Sequence, residues 1–570
     1  MSIRLTTESH DALMLRVTKV AEAVTDVEIE VHFPEAVVPE TMKIQWYTKA
    51  GGSCMEWNPM DVYDRSIHPC WSKATAWSRS ASGMPMQCYF SPWGENVVTV
   101  SVMDVQTPLE IKSGLVEETG ELEWELRLFT ARTEEMQAYH TVLRIDERRI
   151  PYEAVIKETA ARWQADALAK YNPSAFEPVY STWYSYHQQV TPELLYEIQA
   201  AAKLGMKTVI VDDGWQTDDN SRGYAYCGDW RIAESKIPDM RDFVEKVHEA
   251  GMKIMLWYSV PFVGVHSQAW EKYKDQFLYD NSGECGVLDP RYPKVREHLI
   301  SIYERAVREW DLDGLKLDFI DSFSLNEKSK ISHEEMDMLS LEQAVCTLLA
   351  QIYERLRAIK PDILIEFRQS YVGPAMLASG NMMRAADCPM DALTNRIRTV
   401  NLRLTSGKTA VHSDMLMWDY EDSTESAANQ FINVLFSVPQ ISVRLNELSK
   451  EHYAMLAFYL KLWRKHRKTI TEGELHALHP EANYTLVYTE KDNSMVAAAY
   501  SDKLLCPDEN IRDLVFVNGT GTDVLYLETE HERYRYHIYD CMGRLTESGS
   551  AKKGLKKLAV PAAGVVTVGF

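Results

Sequence analysis

The chain has 570 residues, 45% of them hydrophobic and 25% charged, with a formal net charge of −22. That length holds roughly two to four domains and a large core. The acidic balance argues against a protein that wraps nucleic acid or lies on an anionic membrane. No run of about 18 apolar residues is present to span a bilayer.

The opening stretch MSIRLTTESHDALMLRV lacks the charged-then-apolar pattern of a secretory signal. The nine cysteines are scattered, odd in number and contain no CxxC pair. Reduced thiols and a cytoplasmic location are the expectation. Residues 1–165 read as strands such as EIEVHF, MKIQWY, NVVTVSVMD and ELEWELRLF, punctuated by Gly51-Gly52, Pro92 and Gly94. An N-terminal β-sandwich is expected there, closed by a connector helix within Pro151–Tyr171.

From about Val179 short apolar strands alternate with amphipathic helices. Eight strand starts are expected near 179, 207, 253, 312, 363, 381, 409 and 439. The α/β pattern is that of a (β/α)8 TIM barrel over 166–472. A doubly wound sheet is the structural alternative, but no glycine-rich phosphate loop follows the first strand. Residues 473–570 return to strands (YTLVYTE, SMVAAAY, DLVFVNG, YRYHIYD) and suggest a C-terminal all-β domain, read as a second sandwich.

Catalytic groups of such a barrel sit at the C-terminal ends of its strands. There the sequence places Asp212 and Asp213 on strand two, Trp257 on strand three and Lys316 and Asp318 on strand four. Glu366 and Arg368 follow on strand five, Arg384 and Asp387 on strand six, and His412 and Asp414 on strand seven. Any one of these reads equally well as a cap, a core aromatic or a plain ion pair. Charged groups at successive strand ends on one face point instead to a pocket. Glycoside hydrolysis with retention fits it, because that chemistry needs a nucleophilic carboxylate and a carboxylic acid about 5–5.5 Å apart. Asp318 and Asp387 are the candidates. Asp212 and Asp213 would accept from sugar hydroxyls, and Trp257 or Trp215 would pack on an apolar sugar face.

The stretches VIVDDGWQTDD, LDPRYPKVREHL, DGLKLDF and AADCPMDA, together with the run from GDWRIAESKIPDM to YSVPFV, resemble glycoside hydrolase family 36 and its α-galactosidases. The resemblance covers roughly 180–415. It implies a sandwich, barrel and β-domain architecture and a retaining mechanism without cofactor or metal. It implies Asp318 as nucleophile, Asp387 as acid/base, and Asp212, Asp213, Lys316 and Trp257 around the sugar. Small oligosaccharides or glycosides are the expected partners, and a homo-oligomer is in keeping with relatives that often assemble.

Three departures stand out. Lys-Leu-Asp replaces the family's Lys-Trp-Asp. Arg368, in EFRQSYVGP, falls where the family has a cysteine, and Arg384 stands where a tryptophan is common. Arginine forks recognise carboxylate or phosphate, so an acidic or modified sugar is one expectation; the other is that Arg368 pairs with Glu366 or Asp391. An arginine beside Asp387 would lower its pKa unless another carboxylate offsets it. The remaining alternatives are a transglycosylase on this scaffold, a metal-dependent hydrolase using Asp212, Asp213, Asp318 and His412, and a non-catalytic sugar-binding protein. Trp93 is a candidate to reach the site from the first domain, and Cys388 reads as a packing residue.

Overall fold

The computed structural model describes residues 6–7, 13–164, 171–327 and 329–570. At its centre eight parallel strands are ordered as a barrel: Val179–Ser181, Thr208–Val211, Lys253–Ser259, Gly314–Asp318, Leu364–Arg368, Met382–Arg384, Ala410–His412 and Gln440–Ile441. Strand eight pairs with strand one, and parallel bridges His412–Val438 and Leu416–Ile441 complete the ring on the other side. The observed starts lie within two residues of the expected ones because each strand is a short apolar run buried on both faces.

Strand four shows why this sequence closes. A side chain at Gly314 would meet the Leu364 carbonyl oxygen at 2.5 Å, so only glycine admits strand five at this distance. Alternation then sends Leu315 and Leu317 into the apolar core and sets Lys316 and Asp318 together on the other side. The strand ends at Phe319, whose φ of +62° turns the chain away directly after Asp318. Between strands three and four lies an antiparallel three-stranded sheet, Phe262–Gly264, Phe277–Asn281 and Cys285–Leu288.

The first domain is a sandwich of two six-stranded antiparallel sheets around Val27, Ile29, Trp46, Val98, Val100 and Trp124. Met42–Lys49 alternates buried and half-buried side chains, the signature of a strand with one core face. The connector is helical over Tyr152–Trp163; the expected continuation through 165–170 lies outside the described residues. The last barrel helix, Lys450–Glu472, leads through Gly473 into the C-terminal strands. These hydrogen-bond as one continuous eight-stranded sheet. One face of that sheet, with Val487, Val496 and Ala498, joins the barrel core; the other builds its own core around Phe516, Leu527 and Ile538.

Loops of the first domain roof the C-terminal end of the barrel. Arg79 donates to the carbonyls of Phe323 at 3.1 Å and Asp321 at 2.9 Å, in the turn that follows strand four. Tyr63 hydrogen-bonds Thr394 at 2.5 Å on the helix after strand six.

Candidate active site

Asp318 is the most heavily engaged carboxylate at the barrel mouth. Its Oδ1 accepts from Arg368 Nε, from the Tyr371 hydroxyl and from the Phe319 amide, each at 2.7 Å. Its Oδ2 accepts from the Trp257 indole N–H at 2.9 Å. Burial pushes this carboxyl up, but the charges of Arg368 and Lys316, with the Tyr371 and Trp257 hydrogen bonds, outweigh it and hold it well below the usual carboxylate range. The result is a buried carboxylate kept ionised, with Oδ1 fully occupied and Oδ2 holding one partner.

Lys316 does not pair with its strand neighbour. Its Nζ donates to Asp212 Oδ2 at 2.6 Å across the barrel. Asp212 Oδ1 accepts the Asp213 amide at 2.9 Å, and its own amide donates to Thr182 Oγ1 at 2.9 Å. Asp213 is held by two side-chain amides, Gln188 at 2.6 Å on Oδ2 and Gln216 at 2.7 Å on Oδ1. Burial pushes its carboxyl up to about 6 against those hydrogen bonds.

The expectations for the tryptophans need correction. Trp257 is 2% exposed and packs edge-on to Phe319 and Trp230, so it serves Asp318 as a hydrogen-bond donor rather than as an open platform. Trp215 is fully buried and donates to the Trp257 carbonyl at 2.9 Å. Trp93 sits exposed on a sandwich turn whose Gly94 carbonyl accepts from Tyr152 at the start of the connector helix.

Both arginines are spoken for. Arg368 pairs with Asp318, not with Glu366 or Asp391, and its guanidinium lies over the rings of Phe319 and Tyr371. Asp391 instead caps the helix Ala392–Thr405 through the Thr394 amide and hydroxyl. Arg384, 1% exposed, faces three carboxylates: Asp414 at 2.5 Å, Asp387 at 2.8 Å and Glu366 at 3.6 Å. Two further carboxylates therefore share the charge of the arginine beside Asp387, without cancelling its effect on that carboxyl. Asp387 itself keeps 49% of its side chain exposed at the mouth. Burial of the rest pushes it up, and Arg384, Lys316 and Arg368 more than reverse that, leaving its carboxyl below the ordinary value.

His412 is buried between Gln440 at 3.3 Å on Nδ1 and the Ala175 carbonyl at 2.8 Å on Nε2. Both nitrogens are thus used inside the protein, and burial lowers its pKa to about 3. Among the described residues no three His, Cys, Asp or Glu side chains group as a metal site. Cys388 packs as expected: burial pushes its thiol far up, which leaves it protonated and unreactive. Tyr371, Tyr184 and the Gln188–Gln216 pair were missed by the sequence reading. They lie in loops and short turns, where no periodicity marks a side chain as inward-facing.

Residues 169–400 match the family model described as Melibiase. The chain carries a melibiase domain. Across that region it is similar to α-galactosidase Mel36A of Lactobacillus acidophilus, at 27% identity over 207 residues, covering 32% of this chain and 27% of the relative. It is likewise similar to α-galactosidase 1 of Pediococcus pentosaceus, at 22% identity, covering 43% and 33%. The chain thus aligns with a third or less of the length of these relatives. The fold extends further. An α-galactosidase AgaA variant of Geobacillus stearothermophilus, solved with raffinose, superposes with a TM-score of 0.66 at 12% identity over 98% of this chain and 81% of that one. Sandwich, barrel and C-terminal β-domain are therefore the architecture of family 36 structures. Among the described residues no helix is long and apolar enough to cross a membrane.

Proposed function

We propose that this melibiase-domain protein is a retaining α-glycosidase of the α-galactosidase type that hydrolyses small α-galactosides. The observation that carries the reading is the division of labour between two carboxylates. Asp318 is buried and locked as an anion by four donors, as a nucleophile requires. Asp387 is half-exposed at the mouth, where a leaving group and then a water would arrive. Asp318 attacks the anomeric carbon and gives a covalent glycosyl-enzyme while Asp387 protonates the departing oxygen. Asp387 then takes a proton from water, which releases the sugar with its configuration retained. Asp212, Asp213 and Lys316 form the polar wall that would hold the sugar hydroxyls.

A neutral sugar is the better fit. Lys316, Arg368 and Arg384 face Asp212, Asp213, Asp318, Glu366, Asp387 and Asp414, and every one of the cations is already within 2.8 Å of a carboxylate. The guanidinium groups of Arg368 and Arg384 are thus already committed to the protein's own carboxylates.

The test is hydrolysis of nitrophenyl α-galactoside beside its 6-carboxylate counterpart, followed by azide rescue of two variants. Asp318→Ala with azide yields the β-galactosyl azide, and Asp387→Ala yields the α-anomer. Rescue with the opposite anomers, or cleavage of the acidic glycoside alone, defeats the assignment. Capture of the intermediate by an added sugar in preference to water would make the protein a transglycosylase.

A further inference from the structure

Beside Asp387 lies a buried unit that the reaction just described does not use. Asp414 is fully buried at the end of strand seven. Asn395 clamps it through both main-chain groups, accepting from its amide at 3.0 Å and donating to its carbonyl at 3.1 Å. Its Oδ1 takes Arg384 at 2.5 Å; its Oδ2 takes the Tyr184 hydroxyl at 2.9 Å and the Cys388 amide at 2.6 Å. Arg384 then extends its other terminal nitrogen to Asp387 Oδ1 at 2.8 Å. Among the described residues its Nε has no hydrogen-bond partner, and neither does Glu366 Oε1, 3.6 Å away.

We propose that Asp414, acting through Arg384, is the positioning residue that lets Asp387 work as a general acid. The proposal rests on the glycosidase reading above. A lone guanidinium bonded to Asp387 would hold it as the carboxylate and so deny the leaving group its proton. Asp414 sits at shorter range on the same guanidinium and draws off that charge. Asp387 can then be protonated for the first step, and Arg384 returns to it as it becomes the carboxylate. The other charged or titratable groups around Asp387 act in known directions. Lys316 and Arg368 favour its anion. The Tyr184 hydroxyl also feels Asp387. Arg398 donates to the carbonyls of Ala386 and Asp387 at 3.0 and 3.1 Å. Cys388 stays a neutral thiol, and Glu366 shares Arg384 from below.

The experiment compares two substrates across pH. Melibiose has a poor leaving group that needs the proton; 2,4-dinitrophenyl α-galactoside has one that departs unaided. In Asp414→Asn, kcat/KM for melibiose, whose leaving group is a glucose oxygen, falls by about 10²-fold or more. The alkaline limb of its pH profile moves acidward by about one unit or more, while the dinitrophenyl glycoside is much less affected. Removing both charges, in Arg384→Gln with Asp414→Asn, moves that limb back toward alkaline pH. Tyr184→Phe takes one donor from Asp414 without touching the ion pair, leaves more of that carboxylate's charge on Arg384, and so gives a small shift in the alkaline direction; it serves if Asp414→Asn does not fold. Equal losses on both substrates with an unmoved limb overturn the proposal and make Asp414 purely structural. A wild-type protein that cleaves neither substrate overturns the glycosidase reading instead.

Discussion

Arg368 Nε donates to Asp318 Oδ1 at 2.7 Å, so the carboxylate assigned as nucleophile is ion-paired at the oxygen that also takes Tyr371 and the Phe319 amide. In the proposed mechanism Oδ2, which accepts only from Trp257 among the described residues, would be the attacking atom. The pair lowers the basicity of the nucleophile. A less basic carboxylate attacks more slowly but makes a better leaving group when the glycosyl ester is broken.

Arg368→Met removes the largest favourable charge acting on Asp318. The Asp318 pKa then rises by about 1–3 units. Because the reactive form is the anion, the acidic limb of kcat/KM moves to higher pH by the same amount. Folding stability moves the opposite way. A carboxyl depressed in the folded state stabilises above its unfolded pKa and loses that contribution as pH falls, so the variant gives up part of it at neutral pH. A pH–rate profile with nitrophenyl α-galactoside checks the shift. An unmoved acidic limb would show that Arg368 does not govern Asp318.

Tyr371→Phe is the milder version of the same change. One hydroxyl donor to a buried anion contributes about 1.5–3 kcal/mol, which corresponds to a loss of roughly 10- to 100-fold in kcat/KM. The acidic limb should move less than in Arg368→Met, since the guanidinium charge remains. A shift as large as the arginine variant's would mean that the tyrosine positions Arg368 as well.

What the sequence made legible follows from where the physics is local. Strand starts were readable because barrel strands are short apolar runs between amphipathic helices. The inward set Lys316, Asp318 and Glu366 was readable because alternation fixes which face a side chain takes. Partner choice was not. Whether Lys316 meets Asp318 or Asp212, and whether Arg368 meets Glu366 or Asp318, depends on barrel curvature and on rotamers of neighbouring strands. Trp257 misled for a related reason: an indole can stack or donate, and only the position of Asp318 decides. The roof from the first domain was invisible, since Arg79 acts through carbonyls of Asp321 and Phe323 that carry no sequence signature.

That roof meets the site at Gly373. A Cβ added there would stand 2.7 Å from the Gly83 carbonyl oxygen of the sandwich hairpin. The backbone of Gly373 itself is ordinary, with φ of −68°, so Gly373→Ala acts by displacement and not by strain. The hairpin must move, and with it the loop after strand five that carries Tyr371. Overpacking of this kind costs about 1–3 kcal/mol. We expect a lowered thermal midpoint together with a several-fold fall in kcat for α-galactoside. Full activity alongside a lowered midpoint would separate the hairpin from the positioning of Tyr371.

Glu56, 4% exposed in the first sandwich, gives a pH dependence that is independent of the active site. Its Oε2 accepts from Gln87 at 3.2 Å and Tyr89 at 3.1 Å, and no cation among the described residues pairs with it. Burial, helped by the nearby charge of Asp61, pushes its pKa from 4.5 up to about 8. The folded state therefore holds a proton that the unfolded chain releases. Stability attributable to this group is fully present below about pH 4.5, declines as pH rises, and levels off above about pH 8. Glu56→Gln keeps an oxygen to accept both donors and has no proton to lose. The variant should match the wild type in thermal midpoint at pH 4.5 and exceed it at pH 8, by an amount that corresponds to a few kcal/mol at most. Equal midpoints at both pH values would mean that Glu56 is ionised in the folded protein and that water or a cation compensates its burial.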